Sequence, residues 1–279
     1  MKKFLFVGLI LFSINCFPQT EDEDALLERV LDEWFETDVS WVDPSPSHYV
    51  YASFSMDESV FFAGRDFDIN QFGFTPSISY MRGKSFFVSL GSAYFSQLDP
   101  KWDFVSVSSG YSLFLDPKER LSITGIYSRI FFLADAEELN PNRFSGALAY
   151  RKNKWGMRLS AGYLFGGSPS FYTTASSSYQ IPVIDQVKWK VSWNPQLSFL
   201  MSQQTVSEQI NSGFFNSQLI DRDVFDLINT QISFPIQLDI GNWDFELSYH
   251  LNLPKALPSE IDIDTSGYIS LSIGFFSSL

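Results

Sequence analysis

The sequence predicts an all-β fold: a transmembrane, antiparallel, up-and-down β-barrel of about twelve strands, preceded by a short N-terminal amphipathic helix. From residue 48 onward, apolar residues alternate with small or polar ones, and a period of two places the two sets on opposite faces of a strand. Most of these segments reach roughly nine residues, close to the length that a tilted strand needs to cross a bilayer. Their connections tend to alternate between short and long, as in up-and-down membrane barrels.

The first element is a signal peptide, which we place at residues 1–19. Lys2 and Lys3 precede an apolar run at 4–12, which is too short to span a bilayer as a helix. Cys16 is the only cysteine. It is either removed with the signal peptide or is the acylation site of a lipoprotein, and the sequence leaves both interpretations open. In either case no disulfide can form.

Residues 20–47 form the second unit, an acidic amphipathic helix followed by a proline-rich hinge at 43–46. Acidic residues cluster in the predicted first turn, where the helix dipole favours them. The apolar face recurs at helical spacing and needs a partner. We expect this face either to plug the barrel or to bind an envelope protein, through Leu27, Val30, Leu31, Trp34 and Phe35.

Charge excludes one class of partner. The net charge is −13, and ten acids against one base lie between Thr20 and Asp43. An acidic chain without a basic stripe argues against nucleic acid. The sequence shows no zinc, calcium or phosphate-loop spacing, and therefore predicts no metal and no cofactor.

The third unit, residues 48–279, holds the strands. In 187–201 the apolar residues fall on one parity and the lysines and small polar residues on the other. A soluble β-barrel is the alternative, but it explains neither the strand length nor the repeated aromatic face, so lipid is the expected covering. The predicted strands are 48–62, 70–81, 85–97, 102–115, 119–133, 143–151, 155–165, 170–181, 187–202, 226–240, 243–253 and 267–278.

Two details accompany these strands. The fifth is mixed in parity, and we expect a bulge near Gly125; the link 203–225 is expected to be the longest. Aromatic residues near strand ends predict girdles at the headgroup level, namely Tyr49, Trp102, Trp155, Trp189, Trp243 and Tyr268.

The last strand carries a resemblance. Ile269, Leu271, Ile273, Phe275 and Leu279 share one parity around Gly274, although the terminal residue is Leu and position 277 is Ser. Over residues 48–279 the chain resembles the outer-membrane β-barrel proteins of double-membrane bacteria. The resemblance implies a location in the outer membrane, with lipid as partner and the N-terminal segment in the periplasm.

Small polar residues dominate the predicted inward faces, which is typical of a water-filled interior. We expect seven charged or titratable side chains to line this lumen and to create either a transverse field or a set of paired charges that blocks it. They are Arg158, Lys188 and Lys190 on one side and Asp239, Asp244, Glu246 and His250 on the other.

Ser248, His250 and Asn252 invite an enzymatic alternative, because one outer-membrane phospholipase family uses these residue types on a twelve-stranded barrel. Parity places His250 in the lumen, whereas a lipase needs a nucleophile that faces lipid. Two residues on one strand also give no oxyanion site. The sequence therefore predicts no enzyme.

The expected function is passive passage of small polar solutes. The alternative is a non-conducting barrel that acts as a structural or interaction subunit of an envelope complex, with an outer-membrane lipase as a remote third. The sequence does not define the solute or the oligomeric state.

Overall fold

The computed structural model describes residues 48–60, 71–133, 139–211, 217–256 and 263–279, with only the backbone described over 205–222. The predicted signal peptide and amphipathic helix, including Cys16, lie outside the described residues. Every regular element in the described part of the chain is a β-strand.

Fifteen strands follow one another along the chain. The first eight are β1 (His48–Asp57), β2 (Gly73–Arg82), β3 (Phe86–Phe95), β4 (Trp102–Phe114), β5 (Leu121–Phe132), β6 (Asn142–Lys152), β7 (Trp155–Phe165) and β8 (Ser170–Tyr179). The remaining seven are β9 (Ile181–Asp185), β10 (Trp189–Trp193), β11 (Gln196–Asn211), β12 (Ser217–Ser233), β13 (Ile236–Ile240), β14 (Trp243–Pro254) and β15 (Ser266–Ser278).

These strands make a closed barrel of twelve antiparallel spans, which confirms the predicted fold class and strand count. Three spans consist of two strands each: β8 with β9, β10 with β11, and β12 with β13. The barrel closes where β1 pairs with β15, from Tyr49 opposite Ser278 to Asp57 opposite Ser270. Closure leaves no open sheet edge along this seam, as a membrane-spanning sheet requires.

The three two-part spans are interrupted side by side. Gln180, Asn194-Pro195 and Phe234-Pro235 separate their halves. Proline has no N–H to give to the ladder, but its carbonyl still accepts: the Tyr179 N–H donates to Pro195 O at 3.1 Å and the Asn194 N–H to Pro235 O at 3.0 Å.

Two sequence predictions about the strands are wrong. The segment 203–225 is mostly a long hairpin, because β11 and β12 stay paired from Gln196 opposite Ser233 to Asn211 opposite Ser217. Polar residues fall on both parities of this segment, so the regular alternation that marks the other strands is missing. No register shift occurs near Gly125, which pairs evenly with Tyr111 and Gly146.

Large apolar side chains cover the outside of the barrel. Ile78, Leu159 and Ile236 are typical, with 48%, 51% and 51% of their surface exposed. Burying one such side chain completely contributes roughly 1.5–3 kcal/mol. Because these residues recur on the outward parity of successive spans, the surface requires an apolar solvent, which a bilayer supplies.

The predicted aromatic girdles are correct in part. Trp102, Trp155, Trp189 and Trp243 are exposed at 40–52%. Tyr49 and Tyr268, however, are 5% and 4% exposed and have the inward parity. Tyr49 stacks on Phe276 with ring centroids 4.9 Å apart, so the interior also holds aromatic rings.

The two ends of the barrel differ. Both His48 and Leu279 lie at one end, which we call the turn end, and the Leu279 N–H donates to His48 O at 2.8 Å. The tight links 83–85, 115–120, 153–154, 186–188 and 241–242 are at this end. The opposite end, with the other six connections, is the loop end.

Candidate functional site

The lumen near the loop end is filled on one wall by large side chains. Phe95, Phe104, Ile130, Leu164 and Tyr172 are each exposed by 1% or less, although their parity directs them inward. Val60 and Ala93 complete this group, which we call the apolar cluster. Residues that face an open water-filled pore would show solvent exposure, so this wall is packed, and we call the loop-end half of the lumen the packed half.

Glycines provide the space that the cluster fills. A Cβ at Gly162 would overlap the ring of Tyr172. A Cβ at Gly73 would lie 2.9 Å from Val60 Cγ2 and 3.4 Å from the Phe95 ring. Large residues therefore fit against small ones on neighbouring spans, as close packing requires. The expectation of a small polar lining fails on this wall, because β4 and β5 carry apolar residues on both parities near the loop end.

The opposite wall of the packed half is polar. His250 Nδ1 lies 2.9 Å from Ser233 Oγ, His250 Nε2 lies 2.9 Å from Ser270 Oγ, and the ring stacks on Tyr268 with centroids 4.6 Å apart. A neutral imidazole donates from one nitrogen and accepts at the other, so two serine hydroxyls satisfy both positions. Next to it, Asn252 Oδ1 accepts from Gln231 Nε2 at 3.0 Å.

Ser248, His250 and Asn252 share the inward face of β14, but they are not arranged as a catalytic set. His250 hydrogen-bonds to serines of the two neighbouring spans, whereas the Ser248 hydroxyl is buried with no hydrogen-bond partner among the described residues. This network fixes the His250 ring inside the barrel, on the face directed away from lipid.

The turn-end half of the lumen contains a cavity of ≈ 420 Å³, which we call the vestibule. Its volume lies within the range of small-molecule pockets. Hydroxyl groups line much of its wall, and several bond to each other across strands: Ser79 Oγ lies 2.7 Å from Ser89 Oγ, and Ser112 Oγ lies 2.8 Å from Thr124 Oγ1. The other hydroxyl-bearing lining residues include Ser122, Ser176 and Ser178.

Cations dominate the charged residues of the vestibule. Among the described lining residues the acid is Glu119, and the cations are Lys84, Lys118, Arg120, Arg151 and Arg158. Two of these cations are held by acids of the turn 115–120. Lys84 Nζ donates to Glu119 Oε2 at 2.7 Å, and Arg120 Nε donates to Asp116 Oδ2 at 2.9 Å.

Asp116 organises that turn. Its Oδ1 accepts from the backbone N–H groups of Arg120 and Leu121, at 2.5 and 2.8 Å. The side-chain hydrogen bond from Arg120 lowers the pKa of Asp116 below its ordinary value, and the two backbone bonds act in the same direction. The turn that holds Lys84 and Arg120 is therefore built around the Asp116 carboxylate.

The acidic candidates lie on another wall. Asp239 is opposite Asp244, and Glu246 is opposite Gln237. Tyr51 Oη donates to Asp244 Oδ1 at 3.1 Å. These acids are not lining residues of the vestibule, but Tyr51, the partner of Asp244, is one.

The structure thus places the seven predicted lumen residues in four locations. Arg158 is in the vestibule, the three acids are on the β13–β14 wall, and His250 is in the packed half. Lys188 and Lys190 are exposed on the β9–β10 hairpin, where Lys190 Nζ lies 3.9 Å from Asp185 Oδ1. The β9–β10 hairpin extends beyond the β6–β7 turn. The pairing of β7 with β8 stops at Trp155, opposite Tyr179, and β9 begins after Tyr179.

Sequence reasoning did not select the other vestibule cations. Arg151 was detectable, because it has the same parity as Ser145, Ala147 and Ala149 on β6, the small face of that strand. Lys84, Lys118 and Arg120 were not, because they belong to turns, where alternation gives no direction.

Neither a family model nor a curated protein matches this chain. Solved structures are similar. A KdgM porin covers 81% of this chain and 98% of its own length, at 8% identity and a TM-score of 0.45. An outer membrane channel from Pseudomonas putida F1 covers 86% of this chain and 99% of its own length, at 10% identity and a TM-score of 0.45. LpxR from Salmonella typhimurium covers 81% of this chain and 99% of its own length, at 8% identity and a TM-score of 0.43.

The barrel closure, the strand lengths and the apolar outer surface define the class: this protein is a closed, antiparallel transmembrane β-barrel. No helix in the described ranges is long and apolar enough to cross a membrane. In the same ranges, no group of three or more His, Cys, Asp or Glu side chains is placed to hold a metal ion.

Proposed function

We propose that the protein is a passive channel for small polar solutes, with the turn end and the N-terminal segment in the periplasm. The observation that carries this proposal is the vestibule: a polar cavity of ≈ 420 Å³ inside the barrel, bordered at the turn end by the links 83–85 and 115–120. Short links at the periplasmic side are typical of outer-membrane barrels, which supports the orientation.

The apolar cluster lies on the path that a solute takes through the barrel. Its side chains are buried in the loop half, so a solute that leaves the vestibule must pass Tyr172, Phe104 and their neighbours to reach the loop end. Packed interiors rearrange between discrete arrangements rather than deforming continuously. The proposed channel therefore has low conductance, and its limiting barrier lies in the loop half.

A second function has its own support. The same packing favours a non-conducting barrel that acts as a structural or interaction subunit of an envelope complex. In that case the predicted helix face at Leu27, Val30, Leu31, Trp34 and Phe35 binds another envelope protein from the periplasmic side. If the protein is a channel, the same helix face acts as a plug at the turn end.

Single-channel recording in planar bilayers separates these functions. The mature chain and a variant without residues 20–43 are each reconstituted, with heat-modifiable migration as the check on folding. We expect small, steady conductance from the mature chain. Conductance that appears only after the deletion would identify the segment as a plug, and silence from both folded proteins would favour the non-conducting barrel.

The proposal assigns no catalysis to the barrel. His250 has both ring nitrogens bonded to Ser233 and Ser270 in the interior, away from lipid. A phospholipase assay on the folded protein and on His250→Ala tests this. Hydrolysis by the former that the substitution abolishes would overturn the assignment.

A further inference from the structure

Exposed cations follow three neighbouring links at the turn end of the barrel. Each of these side chains is exposed, and none of the ion pairs within the described residues includes one of them. They are Arg82, beside the β2–β3 link, Lys118, in the β4–β5 link, and Lys152 and Lys154, at the β6–β7 turn. We call these four residues the cationic rim.

The three links form one surface. Lys84 Nζ donates to Glu119 Oε2 at 2.7 Å, which joins the β2–β3 link to the β4–β5 link. The Arg151 N–H donates to Arg120 O at 2.7 Å, which joins the β4–β5 link to the end of β6. The rim therefore follows the mouth of the barrel from β2 to β7.

Among the described residues, the acids of the turn end leave the rim charged. The two acids of the β4–β5 link, Asp116 and Glu119, are bonded to Arg120 and Lys84. Another group of acids lies on the β13–β14 wall, across the closing seam. Asp244 of that group accepts its hydrogen bond from β1 inside the lumen, whereas the rim side chains are exposed at the mouth.

The N-terminal segment supplies the opposite charge at the same end. Residues 20–43, which we call the acidic segment, contain ten acids and one base. This segment joins the barrel at β1, whose first residue, His48, pairs with Arg82. The chain that carries the acids is therefore attached beside the first cation of the rim.

The length of the connecting chain allows the acidic segment to reach the whole rim. Neighbouring strands lie about 4.8 Å apart, so the five steps from β1 to β6 cover roughly 24 Å along the wall. Residues 37–47 alone would span up to about 36 Å if extended. Tethering also raises the effective concentration of the segment to the order of millimolar, which favours contact although each exposed ion pair contributes little.

The other cations at this end are a weaker site for the segment. Lys188 and Lys190 share the β9–β10 hairpin with Asp185, whose Oδ1 lies 3.9 Å from Lys190 Nζ. The acidic β13–β14 wall lies between that hairpin and β1. A negatively charged segment that is attached at β1 is therefore attracted toward β2 and repelled from β14.

From this charge complementarity we infer that the cationic rim is a docking surface for the acidic segment of the same chain. Lys118 is also a lining residue of the vestibule, so the docked segment borders the cavity at the turn end. The inference goes beyond the proposed function, because the contact is the same whether or not the barrel conducts. It gives the acidic segment a defined binding site on the barrel.

Carbodiimide cross-linking of the folded mature chain in a neutral detergent tests the contact, because this reagent joins a carboxylate to a lysine amine that touches it. At about 0.01 M salt, where the Debye length is about 30 Å, we expect cross-links from the acidic segment to Lys118, Lys152 and Lys154. At about 1 M salt, where it is about 3 Å, their yield should fall roughly threefold or more. No cross-links at low salt, or a yield that salt leaves unchanged, would overturn the inference.

Charge reversal shows whether the rim itself is required. Lys152→Glu combined with Lys154→Glu should lower the yield of cross-links to Lys118 roughly threefold or more, because like charges repel the segment. Lys188→Glu combined with Lys190→Glu is the matched control, since it makes the same change of charge at the same end. It should leave the Lys118 cross-links intact, and an equal loss in both variants contradicts a docking site on the rim.

An exchange of charges makes the test independent of any loss of folding. Asp32→Lys and Glu36→Lys are added to the variant with Lys152→Glu and Lys154→Glu, and heat-modifiable migration confirms that each protein is folded. Positions 32 and 36 are neighbours on one face of the predicted helix. We expect cross-links to return between the exchanged positions. Failure to return in a folded protein counts against the docking.

Anionic lipid is the competing partner for an exposed cationic surface. The cross-linking is therefore repeated in phosphatidylcholine vesicles with and without phosphatidylglycerol. Cross-links that persist in both support the inference. Cross-links that phosphatidylglycerol abolishes would show that the rim binds lipid headgroups instead of the segment, and the inference would fail.

Conductance keeps this inference separate from the proposed function. A barrel that shows the rim cross-links but never conducts retains the docking site and loses the channel. A barrel that conducts without these cross-links retains the channel and loses the docking site.

Discussion

Tyr51 of the first span donates a hydrogen bond from Oη to Asp244 Oδ1 of the eleventh, at 3.1 Å, and the bond crosses the last span above Gly274. A Cβ at Gly274 would overlap both the Asp244 carboxylate and the Tyr51 hydroxyl. One glycine on β15 thus lets β1 and β14 contact each other directly. The closing seam is held by this contact in addition to its backbone ladder.

Tyr51→Phe removes the hydroxyl and keeps the ring. We expect a loss of about 1 kcal/mol in the free energy of unfolding, because the Asp244 carboxylate loses a donor inside the lumen. Denaturant unfolding of the barrel in detergent, followed by tryptophan fluorescence, measures the change. Tyr163→Phe, on the outward face, is the control and should differ from the parent by less than half as much.

Gly274→Ala places a methyl group where the Tyr51 and Asp244 side chains meet. We expect a destabilisation of about 1–3 kcal/mol, typical of overpacking, and the substitution should add little to Tyr51→Phe in the double variant because both break the same contact. Gly125→Ala is the matched control, since nothing lies within 4 Å of its added Cβ. Additive losses in the double variant would contradict the shared contact.

Tyr172→Ala should open the packed half of the lumen. The ring lies against Gly162 and beneath the Arg143 guanidinium, whose Cζ is 5.0 Å from the ring centroid. Removing it costs roughly 3–5 kcal/mol in stability but clears space on the solute path, so single-channel conductance should rise severalfold. Phe171→Ala, the outward neighbour, is the control. Unchanged conductance in both Tyr172→Ala and Phe104→Ala would show that the barrier lies elsewhere.

The lowered pKa of Asp116 predicts that the stability of the barrel depends on pH. Its pKa is lower in the folded barrel than the ordinary 3.8, chiefly through the Arg120 side chain. The stabilisation is therefore complete above about pH 4 and is lost as the pH falls through the folded-state pKa. Asp116→Asn should be less stable than the parent at neutral pH, and the difference should shrink below pH 3.8. Asp264→Asn, which removes an exposed carboxylate at the loop end, is the control for the loss of one negative charge at neutral pH.

The sequence was informative wherever contact with lipid requires apolar side chains on the outward face of a strand. Ile78, Leu159 and Ile236 mark an outward parity, and this pattern alone gave the strand count and the closed barrel. The rule gives no information about the interior, because Phe104 and Ile130 are apolar residues on the inward parity that pack against one another. It also fails for β11 beyond Ser202, where polar residues fall on both parities and the hairpin continues.

The candidate site was less accessible to sequence reasoning. Arg158 could be placed on the inward face by alternation, yet its neighbour Arg151 was overlooked. The partners that neutralise Lys84 and Arg120 come from a turn, whose geometry depends on the hydrogen bonds of Asp116 rather than on any periodicity. Side chains on turns become predictable only after the strands that carry them have been aligned.

The adjacent interruptions at Gln180, Asn194-Pro195 and Phe234-Pro235 have a mechanical consequence. They set off β9, β10 and β13, each five residues long, as a small panel joined to the wall along this crease and along the pairing of β13 with β14. Bending at the crease breaks few backbone hydrogen bonds, because Pro195 and Pro235 have no N–H group to donate. The barrel is therefore stiff around most of its circumference and compliant at one corner of its turn end.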